Sequence, residues 1–514
     1  MGSRASGDVS PRAHESGVRA RAARLAAFVR RHPKKLAALA LFLAFPFVLH
    51  LVVGLTTRIH PPALPEATLP LAPHEPRPGL RRLGAGWARK RGDVLEVHLA
   101  GSPEQIGHQH GRLLYPEMLA NEGVLYEQFE RHVPFFALRW MLVDLSRVRY
   151  RHVDLGVAPE RRLEIAAQAR AFSPDPFSSF LPTYHRFVFL QALYDIMLSF
   201  EHSPLLGCTS FALGDGAFEG GHAVLARNFD FEAGPIFDRG KAVFLVREDG
   251  RIPYASVAWP GLVGVVSGMN AEGVAVVLHG GRAREPRAQG EPVVHTLRDV
   301  LGQARNTDEA LRLFSERERS GRGPMVSHIV MLTDASGDAA VVERAPGEPS
   351  HVRRGRGKVA LTNHFEGPFE ADARNQRVRE KTSTLARRRR LDERLENLPR
   401  GVDVQGVVDV LRDKRGPGGG ELPLGSRRAI DALIATHAVI MDSTDRRLWV
   451  SEGPHLVSRF LRFDLARLLA ASYDPEAEPD PDPDDGALPA DPIRASGAYD
   501  EWVKAGQPHA RETP

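Results

Sequence analysis

Cysteine is all but absent: Cys208 is the one cysteine in 514 residues. An internal disulfide is therefore excluded, and the thiol is either an apolar filler of the core or a reactive sulfur. Several enzyme signatures are missing too. The chain has no H-E-x-x-H zinc pair and no Walker A phosphate loop. It has no G-x-S-x-G nucleophile elbow, since Ser267 lies in Gly264-Val265-Val266-Ser267-Gly268. No basic stripe interleaved with aromatics occurs, which argues against a nucleic-acid partner. His108 and His110 form an H-x-H at a helix start, where they point to different faces, so a metal site is not expected. His222, His364 and His437 are scattered and read as structural. No metal or organic cofactor is expected.

What is present suits a globular chain: 42% hydrophobic and 26% charged residues with a net charge of +4. The charge is unevenly placed. Residues 1–35 are rich in arginine and lysine and read as a disordered basic arm, while 474–491 is acidic. Between the arm and the body, 36–55 (LAALALFLAFPFVLHLVVGL) carries no charged residue and is long enough to cross a hydrocarbon core. Basic residues ahead of it place the N-terminus in the cytoplasm and the rest outside, as a single-pass membrane protein. The alternative is a cleaved signal peptide and a secreted product.

Residues 56–94, dense in proline, read as a linker, and the folded body is expected to open on a strand at 95–99. Apolar spacing of three and four predicts helices over 103–133, 159–172 and 185–200. From Cys208 the period changes to two, which predicts strands at 209–213, 223–227, 242–246, 255–258, 263–266 and 274–278, as in an antiparallel meander. Helices follow at 294–305 and 308–317, and a hairpin joins 327–333 to 339–343. A strand at 359–362, a basic helix at 373–396, helices at 404–412 and 429–436, and a hairpin from 438–441 to 448–451 complete the body. The tail 473–514 reads as disordered. Strands with grouped helices give an α+β class.

The surroundings of Cys208 favour a reactive sulfur. Gly207 precedes it directly. Behind it a short strand, an Asp215-Gly216 turn and a Gly220-Gly221 break lead to a second strand ending in Arg227-Asn228-Phe229-Asp230. Thiol, guanidinium and carboxylate thus meet at one end of a hairpin. The bland alternatives are an inert core thiol, a plain ion pair of Arg227 with Asp230, and a turn cap at Asn363.

Gly207-Cys208-Thr209, Arg227-Asn228-Phe229-Asp230 and Leu361-Thr362-Asn363-His364-Phe365 together resemble the N-terminal-nucleophile hydrolases. The resemblance is to the peptidase C45 family, which includes the acyl-CoA:6-aminopenicillanic acid acyltransferases; bile-salt hydrolases are more distant. The phrase Leu99-Ala100-Gly101-Ser102-Pro103-Glu104-Gln105-Ile106-Gly107-His108-Gln109-His110-Gly111 looks like the start of the family's pro-region. The resemblance spans about 95–465. It implies a four-layer αββα sandwich of two antiparallel sheets between helices, with a pro-segment or small subunit at 95–207 and a catalytic domain at 208–472. It also implies self-cleavage between Gly207 and Cys208, which frees an α-amine that serves as base for its own thiol. Asp230 matches the carboxylate that holds this amine. Arg227 matches an arginine that keeps the thiol ionised. Asn363 matches the asparagine that donates to the oxyanion. Thr384-Leu385-Ala386-Arg387 fits a downstream Ser/Thr-x-x-Arg phrase and makes Arg387 a candidate, although a solvated helix face is the competing reading. One departure stands out. After the Gly268-Met269-Asn270-Ala271-Glu272-Gly273 turn, the strand reads Leu278-His279-Gly280, with no asparagine for a second oxyanion donor, leaving His279 or a backbone N–H.

The expected substrate is a small-molecule or lipid-like acyl amide, with water or an amine accepting the acyl group. Two other functions remain open at this level: a phospholipase B-like lipid ester hydrolase with the same machinery, or a non-catalytic anchored domain.

Overall fold

The computed structural model describes residues 31–65, 72–199, 206–231 and 234–507. Most of the basic arm, residues 1–30, lies outside the described residues. The chain divides into two compact units, one formed by Met1–Arg58 with Phe135–Arg151 and the other by Ile59–Pro134 with His152–Pro514.

In the first unit the uncharged stretch forms the helix Pro33–Thr56, which contains Pro46. At about 1.5 Å per residue it is long enough to cross a bilayer, and its length and composition fit a membrane span or a signal sequence equally. A second helix, Phe136–Arg149, belongs to the same unit.

The second unit is mixed α+β. Its strands are β1 (His74–Arg77), β2 (Leu80–Leu83), β3 (Gly86–Arg91), β4 (Val94–Gly101), β5 (Leu206–Leu213), β6 (Val224–Phe231), β7 (Ala242–Glu248), β8 (Tyr254–Ala258), β9 (Ser267–Asn270) and β10 (Ala275–Gly280). They continue with β11 (His328–Thr333), β12 (Ala339–Arg344), β13 (His351–Gly355), β14 (Lys358–Leu361), β15 (Ala435–Asp442), β16 (Arg447–Ser451) and β17 (Phe460–Asp464). Eleven of them form one sheet, ordered β1-β2-β3-β4-β7-β8-β9-β10-β11-β12-β13, and six form another, ordered β14-β5-β6-β15-β16-β17.

Alternation along the strands decides what each face buries. On β5, Ala212 joins a core with Leu225, Val439 and Val450 of the small sheet and Leu245, Val257, Val277 and Met331 of the large one. Phe211 and Leu213, pointing the other way, pack with Leu391 and Leu395 of the helix Thr384–Glu396 and with Val407 and Val408 of Val404–Leu411. The small sheet is thus buried on both faces.

Several sequence expectations are corrected. The sheets are not wholly antiparallel: β4 runs parallel to β7, with Leu95 opposite Ala242. The supposed linker at 56–94 contains β1, β2 and β3, because Gly79, Gly84 and Gly92 at φ +80°, +59° and +56° supply the turns that fold this proline-rich stretch into hairpins. Residues 263–266 are not a strand; pairing begins at Ser267. No helix forms over 429–436, since the Asp431 carboxylate accepts the Leu433 N–H and Leu433 itself sits at φ +53°. The basic helix of 373–396 is two helices, Ala373–Lys381 and Thr384–Glu396, broken at extended Thr382. The tail 473–514 is ordered over its described part. Its acidic residues pair with Arg82, Arg459 and Arg462, and the helix Ala498–Lys504 buries Tyr499 and Trp502 against Leu433 and Val457.

The segment ahead of Cys208 is part of the body. It supplies β1–β4 to the large sheet. Its helix Pro159–Ala171 also carries Arg161 and Glu164 into a buried four-charge cluster with Glu248 and Arg298, in which Arg298 Nη1 lies 2.8 Å from Glu164 and Nη2 3.2 Å from Glu248.

Candidate active site

β5 and β6 pair with Cys208 opposite Phe229, Ser210 opposite Arg227 and Gly207 opposite Asp230. Directly opposed residues share a face, so thiol, guanidinium and the Phe229 ring lie together on the face turned toward the large sheet. Cys208 is wholly buried. Its thiol faces the Leu278 carbonyl of β10 at 3.9 Å, so the sulfur stands between the two sheets.

Arg227 is also fully buried, and each terminal nitrogen is committed. Nη2 donates to Cys208 Sγ at 3.2 Å and to the Leu278 carbonyl. Nη1 donates to the Val266 carbonyl and to Ser267 Oγ at 2.6 Å. The guanidinium lies over the Phe229 ring, 4.4 Å from its centroid. Ser267 Oγ in turn lies 3.0 Å from His437 Nε2, and the His437 ring stacks on Phe229. Burial pushes the Cys208 thiol above its ordinary pKa, the charge and hydrogen bond of Arg227 pull it back, Asp230 pushes it up, and Arg387 pulls it down.

The backbone of Cys208 is held as closely as its sulfur. Its N–H donates to Asn363 Oδ1 at 2.8 Å. Its carbonyl accepts from Arg387 Nη1, which also donates to Thr209 Oγ1 at 2.9 Å, while Arg387 Nη2 donates to Asn363 Oδ1 at 2.9 Å. These two donors fix which end of the Asn363 amide is oxygen. The Asn363 nitrogen donates to the Gly280 carbonyl at 3.0 Å, using one of its two N–H groups. Asp230 is buried beside Gly207, and a methyl group placed on Gly207 would lie 3.0 Å from Asp230 Oδ2. The absent side chain keeps the approach to this carboxylate open.

The structure therefore brings Gly207, Cys208, Arg227, Asp230, Asn363 and Arg387 into one locality. Arg387 is buried and turned inward, not on a solvated face. His279 is not turned to the thiol: its Nε2 lies 2.6 Å from Ser210 Oγ, and burial, with Arg227 and Arg387 nearby, depresses its pKa well below the ordinary imidazole range. Asn270 is occupied by structure, donating to the Leu301 and Ala304 carbonyls and accepting from Glu272 and Val274 N–H. His110 accepts the Gly261 N–H at 2.9 Å and ligates nothing among the described residues.

Two further residues, Thr384 at the head of the Ser/Thr-x-x-Arg phrase and Tyr194, which the sequence did not announce, complete the locality. Thr384 Oγ1 accepts the Asn363 N–H at 2.9 Å and so positions Asn363. Tyr194, from the short helix Leu193–Leu198, is 9% exposed, and its hydroxyl finds no hydrogen-bond partner among the described residues. That oxygen lies 3.5 Å from where a Cβ on Gly280 would stand. It therefore sits beside the residue whose carbonyl binds Asn363. Burial and the nearby Cys208 hold the Tyr194 phenol protonated, with a pKa well above the ordinary value.

Tyr194, Phe229 and Val266 also line a cavity of about 120 Å³. Its other walls are mostly apolar, including Met118, Leu125, Phe187 and Trp259. Its polar members Asn121 and Gln191 are spent on the carbonyls of Pro260 and Gly261, and Glu122 is paired with Arg186. The volume is comparable with the roughly 150 Å³ cavity that accepts a benzene ring.

No curated protein matches the chain. Among solved structures it is similar to the N-acylethanolamine-hydrolyzing acid amidase ortholog of Caenorhabditis elegans, at 18% identity over 46% of this chain and 93% of that one, with a TM-score of 0.34. It is similar to penicillin V acylase from Agrobacterium tumefaciens at 19% identity over 51% and 87%, with a TM-score of 0.35. It is similar to a conjugated bile acid hydrolase from Clostridium perfringens at 12% identity over 50% and 92%, with a TM-score of 0.34. Residues 217–418, which include Arg227, Asp230, Asn363 and Arg387, match the family model of acyl-coenzyme A:6-aminopenicillanic acid acyl-transferase. That segment, less than half of the chain, is similar to this acyl-transferase family, which is of the N-terminal-nucleophile hydrolase type.

Proposed function

We propose that the protein is a self-processing cysteine amidohydrolase or acyltransferase, built as an αββα sandwich, acting on a non-peptide acyl amide. One observation carries this reading. Both atoms that an N-terminal cysteine uses in catalysis are addressed by buried polar side chains: the Cys208 nitrogen by Asn363 at 2.8 Å and the sulfur by Arg227 at 3.2 Å. A thiol that merely filled the core would need neither contact.

In maturation, Cys208 Sγ attacks the Gly207 carbonyl carbon, the peptide C–N bond breaks, and a thioester and an α-amine form. Water then cleaves the thioester, leaving a Gly207 carboxylate and a free thiol. Asp230, opposite Gly207, holds the new ammonium by a charge-assisted hydrogen bond. An α-amine titrates near neutrality, so it takes the thiol proton without help from histidine. The thiolate attacks the substrate carbonyl. The second N–H of Asn363 and the open Tyr194 hydroxyl stabilise the oxyanion, the ammonium protonates the leaving amine, and water or another amine resolves the acyl-thioester. The apolar cavity takes the acyl group. Pro33–Thr56 anchors the chain, with the catalytic unit outside the cytoplasm.

Electrophoresis and N-terminal sequencing of the purified protein test the reading. Two chains are expected, the larger beginning at Cys208, and Cys208→Ala should give one chain without activity on N-acyl amides. Turnover by Cys208→Ala, or by protein with the 207–208 bond whole, overturns it. A matched panel of O-acyl esters separates amidase from lipid ester hydrolase.

A further inference from the structure

We infer that Phe136–Arg149 is a second membrane-seated helix, embedded in the acyl-chain region of the bilayer beside Pro33–Thr56, which is retained as its partner. The inference extends the anchor reading and is independent of the chemistry at Cys208. It comes from an inversion of polarity. A helix of a water-soluble body turns charges outward and apolar residues inward. Here Phe135, Phe136, Met141 and Leu145 are 74%, 61%, 50% and 58% exposed. Two of its charges, Asp144 and Arg147, face the other helix instead. Asp144 lies 2.9 Å from His50 Nδ1, and Arg147 donates to the Gly54 carbonyl at 3.0 Å. Trp140 stacks on the His50 ring at 4.9 Å and meets Phe47 edge-on.

Each polar contact answers a need of the first helix. His50 interrupts an otherwise apolar span, and a polar group at that depth requires a partner. Gly54 lies in the last turn, where helix carbonyls lack intrahelical donors, and a guanidinium there also suits the negative end of the helix dipole. A methyl group on Gly54 would lie 3.1 Å from Arg147 Nη2, so the glycine lets the guanidinium approach. Removal of 33–56 as a signal peptide would strip Asp144 and Arg147 of these partners, which favours retention. The second helix has 14 residues, or about 21 Å, which is less than the roughly 30 Å hydrocarbon core. It enters one leaflet without crossing, and Arg147, Arg149 and Arg151 at its C-terminal end suit the phosphate level of that leaflet.

The test uses the full chain in phosphatidylcholine vesicles whose acyl chains carry bromine, a quencher of indole fluorescence. The difference between wild-type and Trp140→Phe emission isolates Trp140, and bromine should quench it at least twofold. If Trp140→Phe folds poorly, Leu145→Trp is made in the otherwise wild-type chain, and the emission that the added indole contributes should be quenched to the same degree. An unquenched indole in a chain that resists carbonate extraction leaves the anchor standing and overturns the second helix. Release of the chain by carbonate, or a mature N-terminus beyond Thr56, overturns the anchor reading and the pairing with it.

Discussion

Arg387 opens a run of four arginines, and helix phase separates their fates. Thr384, Arg387, Leu391 and Leu395 form the buried stripe of their helix. Arg388 and Arg390 turn to the carboxylates of Glu366, Asp392 and Asp413. Composition alone made the run look like a solvated face, and only the position of the break at Thr382 fixes which arginine points inward. Tyr194 was hidden differently, because an isolated tyrosine in an apolar helix carries no pattern. Its test is sharp, since Tyr194→Phe removes one hydroxyl and no volume. Loss of an oxyanion donor should lower kcat by about 10²–10³-fold with KM little changed. Unchanged kcat in steady-state assays on an N-acyl amide would show that the hydroxyl plays no part. Cys208, Arg227 and Asp230 were legible because one hairpin carries all three, so short-range register sufficed. Thr384 headed the Ser/Thr-x-x-Arg phrase, but its hold on Asn363, like that of Ser267 on Arg227, acts through partners distant in sequence.

The helices Pro103–Leu113 and Pro159–Ala171 approach through Gly107 and Gly111. A methyl group on Gly107 would stand 2.1 Å from the Glu164 carbonyl oxygen, and one on Gly111 2.7 Å from that of Gln168. Gly107→Ala should therefore force the helices apart and cost about 1–3 kcal/mol, read as a lowered urea midpoint of the full chain in detergent. A midpoint equal to wild type would mean that the helices slide apart freely. This pair also shows which elements could be read in advance. The helix start at 103 was legible from apolar spacing, and Ser102 and Gln105 form a reciprocal cap there. The parallel pairing of β4 with β7 joins segments far apart in the chain and left no trace in either. The hairpins of β1–β3 were masked by proline, which edge strands tolerate and Pro76 occupies in β1.

Across the whole molecule, buried ionisable groups set the response to acid. Burial depresses His98 and His364 to about 4 and His110, His295 and His328 to about 3. An imidazole of lowered pKa takes up its proton on unfolding, so each supports folding above pH 6.5, and that support is lost as pH falls through this window. Glu122 and Asp195, raised to about 7 by burial, act with the opposite sign and lose their contribution as pH rises toward 7. Glu164, Glu291 and Glu343 are raised too, but with His279 and His437, also depressed by burial, seven histidines outnumber the five acids, so stability should fall between pH 6.5 and pH 4.5. Urea midpoints measured across this interval check it, and a flat or rising series contradicts it.

Four strands of the large sheet, β1 to β4, precede Cys208, and the rest follow it. Severing the 207–208 bond would therefore change the molecularity of folding. The uncut Cys208→Ala chain unfolds and refolds as one molecule at any dilution. The cut protein must reunite two polypeptides across the β4–β7 seam, so its melting point should climb with protein concentration. Once separated in denaturant, its halves would meet again only at a second-order rate.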